Sequence, residues 1–179
     1  MLDPARIGFR PFDIADLRLL HGWFAQGHVS KWYRDEAKLS YDEVVAGYAP
    51  AVMGHEPIHI WVITYDDRPI GQIQTYSIND FQTYLGYIDV DDGMAGVDLL
   101  IGEPDFVHKG LGSTILHHFL RDIVFGTYQA KSCLIDPEVG NAAAIRSYEK
   151  AGFRHVKTVQ LSVKDSPMYL MRIDKADVK

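Results

Sequence analysis

A carboxylate stands inside an apolar run that leads into a glycine-rich turn. Asp98 lies within Val97–Ile101, and Gly110 and Gly112 follow at the start of a predicted helix. Helix N-termini carry unpaired N–H groups and partial positive charge, and glycines let an anion approach that backbone closely. The turn therefore predicts a phosphate site, or only a tight strand-to-helix connection. Because a buried charge needs a partner, Asp98 is either a structural carboxylate or a functional one.

Two common nucleotide motifs do not match the turn. A Walker A loop requires a lysine directly after its last glycine, whereas Gly112 is followed by Ser113. A dinucleotide fingerprint requires a third glycine, but position 115 is isoleucine. The remaining common pattern is Gln/Arg-x-x-Gly-x-Gly/Ala.

The bulk properties limit the function classes. The chain has 179 residues, which suits a single domain spanning 1–179, and its formal net charge is −6. That charge disfavours nucleic-acid binding and favours a cationic ligand. No apolar stretch is long enough to span a bilayer, and the first residues lack a signal-peptide pattern. A single cysteine, Cys133, excludes an internal disulfide and suggests a cytoplasmic protein.

Helices and strands elsewhere in the chain must position the two glycines, and two helices are predicted near its start. The first predicted helix starts at Asp13 or Asp16, where either carboxylate can cap it. The second starts at Ser40, with Glu43 three residues later, which is a capping-box pattern. Pro50 is expected to bend or end that second helix. The polar, aromatic segment between the two helices is predicted to be a loop.

Two later helices carry the motifs themselves. One is predicted from Gly110 to Gly126, which is its expected stop, and the other from Asn141 as cap to Gly152 as its end. Strand-like runs surround them, with a hairpin signal at "DDRP" and a final predicted hairpin. The order is β-α-α-β-β-β-α-β-α-β-β. It predicts an α/β domain with a mixed, mostly antiparallel central sheet and helices on both faces.

Two motifs in sequence resemble one known family. "VHKGLGS" followed by "NAAAIRSYEKAGF" resembles the Gcn5-related N-acetyltransferase (GNAT) superfamily, whose members use acetyl-CoA. The resemblance implies that the first motif binds the pyrophosphate, and that the second places an asparagine on the pantetheine arm and a tyrosine near the thioester sulfur. Val107 departs from the family, because many members have Gln or Arg there. The implied cofactor residues are Leu99, Leu100, Ile101, His108, Lys109, Gly110, Leu111, Gly112, Ser113, Asn141, Ala144 and Tyr148.

Further segments in order along the chain are similar to the aminoglycoside 6′-N-acetyltransferases. They include "HVSKWY", "RPIGQIQTY", "GVDLLI" and "KDSPMYLM". A sister group acylates the hydroxylysine of siderophores and generally has a histidine where this chain has Asp98. Asp98 therefore favours the aminoglycoside branch.

Acetylation of an amine poses two proton problems. A protonated amine must lose a proton before it attacks, and the departing thiolate needs a proton. Asp98 is the candidate to hold the ammonium and accept its proton, directly or through water. Tyr148 is the candidate donor, since a phenol has an ordinary pKa near ~10 and is protonated at neutral pH. The alternatives are a structural Asp98 bonded to nearby N–H groups and a half-buried Tyr148 on a helix face.

The resemblance also implies a substrate cleft for a polycation. Its predicted residues are Trp32, Tyr48, Gln74, Tyr76, Asp98, Asp136 and Asp165. Several also have a packing interpretation: Trp32 in a loop, Tyr48 facing a core, and Gln74 with Tyr76 on an ordinary strand surface. Asp136 ends a predicted strand, at the carboxyl edge where ligands often bind in α/β sheets.

No metal site is expected. His117 and His118 are adjacent on a predicted helix and cannot share one face. Cys133 lies in a predicted strand, where burial in the core is expected rather than an acetyl-cysteine role.

These observations predict an acetyl-CoA-dependent enzyme that acetylates an aminoglycoside, most simply at the 6′-amine, and so confers resistance. The expected partner is a small cationic amine, and neither nucleic acid nor a membrane is expected. The enzyme itself is expected to be a monomer or a homodimer. The alternatives are an enzyme for another amine, such as siderophore hydroxylysine, lysine or a polyamine, and a CoA-binding sensor without turnover.

Overall fold

The strands were located in a computed structural model that describes residues 2–81, 86–160 and 166–178. Within those residues they are β1 Ile7–Pro11, β2 Ile58–Tyr65, β3 Arg68–Ser77, β4 Met94–Ile101, β5 Ser132–Ile135, β6 Arg154–Val159 and β7 Met168–Asp174. They pair in the order β1-β2-β3-β4-β5-β7-β6. The β4–β5 pair is parallel, whereas β1–β2, β5–β7 and β6–β7 are antiparallel. The predicted mixed sheet is confirmed.

The helices of the same described ranges are α1 Leu17–Phe24, α2 Gly27–Ser30, α3 Tyr41–Val52, α4 Leu111–Phe119 and α5 Ala142–Lys150. Apart from α2, their order among the strands is the predicted one. The α2 helix lies beside the segment predicted as a loop and was not predicted, because four residues are too few to show a helical period. In this part of the chain, no helix has both the length and the apolar character needed to cross a bilayer.

Local capping signals were reliable at two helix starts. The Asp13 side chain accepts the Ala15 N–H and begins a short 3₁₀ turn that leads into α1. Ser40 and Glu43 form the predicted capping box at the start of α3. Pro50 does not end α3, which continues to Val52. Because Pro50 lies in the last turn, its missing N–H removes a single bond near the helix end, and the prediction of an end there was wrong.

The turn between β2 and β3 consists of Asp66 and Asp67, with φ of 49° and 62°. Two left-handed residues match the twist of a tight hairpin, and aspartate tolerates this conformation better than most residues. The predicted hairpin is confirmed.

The helix that follows the glycine turn differs from its prediction in its second half. Leu111–Phe119 is α-helical, but Leu120–Thr127 is a π-helix. Gly126 lies inside the π-helix, so it is not the stop, and the first left-handed residue afterwards is Gln129 at φ 54°. The buried residues of this segment are Leu120, Ile123, Val124 and Phe125. In a π-helix each N–H bonds the carbonyl five residues earlier, and the spacing of apolar residues in the sequence does not reveal this.

The chain divides into two compact units, Met1–Thr75 with Asp98–Leu111, and Tyr76–Val97 with Gly112–Lys179. The first unit has a core cluster formed by Phe12, Leu17, Leu20, Trp23, Phe24, Val29, Val44, Ala51, Ile60, Val62 and Leu100. In the second unit, α4 and β5 contribute fully buried side chains that include Ile115, Leu116, Phe119 and Cys133. The expected burial of Cys133 is confirmed.

Candidate active site

The carboxylate of Asp98 is anchored by a chain of amides in the first unit. Asp98 is half-buried on β4, and its Oδ2 accepts a hydrogen bond from Gln74 Nε2 at 2.9 Å. Gln74 Oε1 in turn accepts one from Gln72 Nε2 at 3.0 Å. The strand period of two places Gln72 and Gln74 on one face of β3. The structure therefore brings the predicted Gln74 and Asp98 together and adds Gln72, which sequence reasoning missed.

Tyr48 on α3 is a half-buried phenol near negative charge. Its ring packs against Phe24, with 5.8 Å between centroids. Burial raises the pKa of the Tyr48 phenol well above its ordinary value, and the negative charges of Glu36 and Asp98 raise it further. Tyr48 is therefore a neutral donor throughout the physiological pH range, and its ring belongs to the core while its hydroxyl lies in the field of two carboxylates.

The segment after α2 contacts the backbone of β4. The Tyr33 hydroxyl donates to the Leu99 carbonyl at 3.5 Å, and His28 Nε2 lies 2.9 Å from the Ile101 carbonyl oxygen. Since a carbonyl only accepts, Nε2 of His28 must carry the proton in this contact. Neither residue was predicted for the site, because both contacts join positions far apart in sequence. Trp32, which was predicted, is half-buried, and Lys31 Nζ lies 4.8 Å from its ring centroid.

The end of β4 contains an irregularity opposite β3. The Ile70 carbonyl accepts from two consecutive N–H groups, Gly102 at 2.8 Å and Glu103 at 3.1 Å. Two residues facing one are the mark of a β-bulge. A Cβ on Gly102 would overlap the Trp23 indole ring, so glycine is required there. The bulge and this glycine set the direction in which the chain leaves β4 toward the glycine turn.

On the other edge of β4, the parallel register with β5 covers only Met94–Gly96 against Ser132–Leu134. The strand continues to Ile101, so Leu99, Leu100 and Ile101 lie beyond that register. Leu100 itself belongs to the core of the first unit. The Leu100 side chain therefore packs in that core, and its carbonyl oxygen lies against Gly71 of β3.

The glycine turn is exposed and contains two left-handed residues. His108 has φ 59° and Gly110 has φ 79°, and both are exposed together with Lys109. A left-handed His108 is uncommon and directs successive backbone groups into the turn. The α4 helix begins at once with Leu111, whose side chain is buried. The turn thus places three exposed residues, one of them a lysine, at a helix N-terminus.

Gly112 has a different reason to be glycine. A Cβ at this position would lie 2.5 Å from Ser147 Oγ on α5. A Cβ on Gly110 would meet nothing within 4 Å, so Gly110 is required by its φ and Gly112 by close helix packing. The sequence motif does not separate these two causes. Ser113, the last residue of the predicted phosphate-binding turn, is half-buried.

The second motif folds as its local signals predicted. Asn141 Oδ1 accepts the Ala144 N–H at 3.1 Å and caps α5, and Gly152 ends the helix at φ 104°. Tyr148 is 9% exposed, and its ring lies 6.3 Å from Phe153 between centroids. The Asn141 carbonyl oxygen is therefore occupied as a cap, and its amide NH₂ is the group suited to donate to a ligand.

The remaining predicted substrate residues have mixed environments. Asp136 is half-buried and directly follows β5, which places it at the carboxyl end of that strand as predicted. Tyr76 is 9% exposed, and its ring lies against Gly96, where a Cβ would overlap it. Phe81 packs edge-on against Tyr76 at 4.6 Å between centroids. Asp165 lies outside the described residues.

Comparisons with known proteins agree on one family. The model of the family "Acetyltransferase (GNAT) domain" matches residues 13–161. An aminoglycoside N(6′)-acetyltransferase type 1 from Klebsiella pneumoniae is 29% identical over 157 residues, which are 87% of this chain and 77% of that protein. A kanamycin resistance protein from Rhizobium radiobacter is 32% identical over 83 residues, 46% of this chain and 74% of the relative. The solved structure of aminoglycoside acetyltransferase AAC(6′)-Ib with coenzyme A and kanamycin is 26% identical, with a TM-score of 0.83 and 96% of both chains covered.

Proposed function

We propose, from the fact that this chain belongs to the GNAT acetyltransferase family, that it transfers an acetyl group from acetyl-CoA to an aminoglycoside. The 6′-amine is the proposed acceptor, in keeping with the name of the relative from Klebsiella pneumoniae. One observation carries the choice of acceptor: the similarity to the kanamycin-bound AAC(6′)-Ib structure covers nearly all of both chains. The acidic net charge of −6 supports a cationic substrate.

The glycine turn suits the pyrophosphate of acetyl-CoA. His108 and Gly110 hold left-handed conformations that open the backbone, and Lys109 is exposed beside them. The N–H groups of Leu111, Gly112 and Ser113 lie in the first turn of α4, at the end of a helix that favours an anion. We assign the diphosphate to these N–H groups and to Lys109. The lysine compensates for Val107, which cannot donate a hydrogen bond from its side chain.

The pantetheine arm is assigned to backbone and amide groups. The edge of β4 beyond its register with β5 offers the backbone of Leu99 and Ile101, whose carbonyls already accept from Tyr33 and His28. Asn141 would contribute its NH₂, since its Oδ1 caps α5, and Ala144 is half-buried one turn along. When bound, acetyl-CoA supplies the acetyl group as a thioester.

The acceptor amine is assigned to Asp98. Its carboxylate would hold the ammonium and take one proton, directly or through water, and the neutral nitrogen would then attack the acetyl carbonyl. A C–N bond forms and the C–S bond breaks. Tyr148 would give its proton to the thiolate and recover one from solvent. The balance is one amide, one CoA thiol and one proton from the original ammonium.

The rest of the polycation would contact the other predicted cleft residues, which are Trp32, Tyr48, Gln74, Tyr76, Asp136 and Asp165. Tyr48 fits this role best among the described ones, because its neutral phenol lies near two carboxylates. Acetylation removes a positive charge that such drugs use to bind RNA, so resistance is the proposed consequence. We also propose a single cytoplasmic domain, acting as a monomer or homodimer.

Thiol release from acetyl-CoA tests the function. We expect release with kanamycin and loss of it with a kanamycin analogue that lacks the 6′-amine. Release with hydroxylysine, lysine or spermidine and none with kanamycin would indicate an enzyme for another acceptor. Binding of acetyl-CoA without release for any amine would indicate a sensor. Either of these two results would refute the proposed function.

A further inference from the structure

Gln72 is a buried amide connected to the proposed acceptor carboxylate through one intermediate residue. It is 5% exposed on β3, and its Nε2 donates to Gln74 Oε1 at 3.0 Å. Gln74 Nε2 donates to Asp98 Oδ2 at 2.9 Å. A buried amide needs hydrogen-bond partners, and Gln72 has one in Gln74, the side chain that also contacts Asp98.

The direction of this chain is set at its Asp98 end. An ionised carboxylate has acceptors and no donor, so Gln74 must turn its NH₂ toward Asp98. The carbonyl oxygen of Gln74 then faces Gln72, which must supply an NH₂. Without a donor at position 72, the Gln74 carbonyl oxygen would lose this hydrogen bond, and the Gln74 amide would be held only at its Asp98 end. An inverted Gln74 would present an oxygen to the carboxylate, which is repulsive.

We propose that Gln72 is a positioning residue for the acceptor amine, acting through Gln74 to hold the Asp98 carboxylate in place. This inference rests on the proposed function. Gln72 touches no reacting group: it holds the carbonyl end of the Gln74 amide, whose orientation Asp98 sets, and that amide holds one carboxylate oxygen of Asp98. The position of the Asp98 carboxylate thereby depends on Gln72, which is two hydrogen bonds away from it.

Positioning and simple packing predict different kinetics. Loss of packing would lower stability and disturb acetyl-CoA and acceptor alike. Loss of positioning would lower kcat/KM for the acceptor while leaving the KM for acetyl-CoA unchanged. It would also have no further effect once Gln74 is gone, because the connection to Asp98 is then already broken.

The experiment compares Gln72→Met, Gln74→Met and the double variant with the wild-type enzyme, using thiol release with kanamycin. Methionine keeps the length of the side chain and removes both donors. We expect Gln72→Met to lower kcat/KM for kanamycin about 3- to 10-fold, the size expected for one lost hydrogen bond. In the Gln74→Met background the same change should cost less than about 2-fold. Gln26→Met is the matched control, because the Gln26 side chain at the start of α2 makes no capping bond.

Unfolding in urea checks that each variant folds and measures the coupling between positions 72 and 74 without reference to activity. Full wild-type kcat/KM in Gln72→Met would overturn the inference alone. So would an equal loss in the presence and absence of Gln74, or a parallel rise of the KM for acetyl-CoA. Absence of thiol release by the wild-type enzyme with kanamycin would overturn the proposed function, and this inference with it.

Discussion

Replacing Gly112 by alanine places a methyl group against α5. The added Cβ would lie 2.5 Å from Ser147 Oγ and 3.5 Å from Ser147 Cβ. The first distance is a steric overlap and the second is an ordinary contact, so the overlap is with the Ser147 hydroxyl alone. Overpacking of this kind costs about 1–3 kcal/mol. Alanine is a better helix residue than glycine by up to about 1 kcal/mol, which leaves a net destabilisation of up to about 2 kcal/mol.

The Ser147→Ala background removes the hydroxyl and should reverse the sign of the effect. There, Gly112→Ala meets only a contact at 3.5 Å, and the helix preference should stabilise the protein by up to about 1 kcal/mol. Urea unfolding of the four proteins measures this. Gly110→Ala is the control: its cost comes from φ 79°, so it should be the same in both backgrounds.

The same variants test how the turn binds its ligand. The Cβ added at position 112 points toward Ser147, so the N–H groups of the turn stay available. We expect the KM for acetyl-CoA in the Gly112→Ala/Ser147→Ala protein to stay within about 2-fold of the wild-type value. If Gly112→Ala destabilises both backgrounds equally, the packing explanation for this glycine is refuted.

Three further outcomes are expected. Asp16→Asn should lower the free energy of unfolding by about 1–3 kcal/mol at pH 7. Because the Arg10 guanidinium holds the pKa of Asp16 below its ordinary value, this stabilisation is present above pH ~4 and is lost as the pH falls through the folded-state pKa. Urea unfolding at pH 3 should therefore show a smaller difference between the variant and the wild-type protein. Gly96→Ala should overlap the Tyr76 ring and lower the melting temperature, and Tyr76→Ala in the same chain should relieve the overlap; an unchanged melting temperature in the single variant would contradict the contact. Tyr148→Phe should lower kcat for thiol release about 10²-fold with little change in KM, and undiminished kcat would remove Tyr148 from the reaction.

Local signals predicted much of this fold. The Ser40–Glu43 box, the Asn141 cap and the Gly152 end each depend on a few neighbouring residues, and each was confirmed. The hairpin at Asp66 followed from turn chemistry in the same way. Features that depend on tertiary packing were missed or placed wrongly. The π-helix after Phe119 and the continuation of α3 past Pro50 are examples, because no short-range pattern encodes them.

For the candidate site as well, some residues could be predicted from the sequence and others could not. Asp98 attracted notice because a charge in an apolar strand requires a partner, and Gln74 proved to be one. Gln72 gave no signal, since a glutamine on a strand is usually a surface residue. His28 and Tyr33 contact the β4 backbone across long sequence separations, which no spacing rule predicts. The roles of Asp98 and Tyr148 remain predictions that rest on family resemblance and on this geometry.

We propose that the Asp98 carboxylate holds and deprotonates the acceptor amine. Asp98→Asn tests it most directly, because asparagine keeps the shape and can still accept from Gln74 through its oxygen, while the charge and the basic group are lost. The measurement is kcat/KM for kanamycin by thiol release at neutral pH, with the KM for acetyl-CoA recorded alongside. We expect Asp98→Asn to lower kcat/KM at least about 10²-fold and to leave the KM for acetyl-CoA unchanged. Wild-type turnover by Asp98→Asn would contradict it.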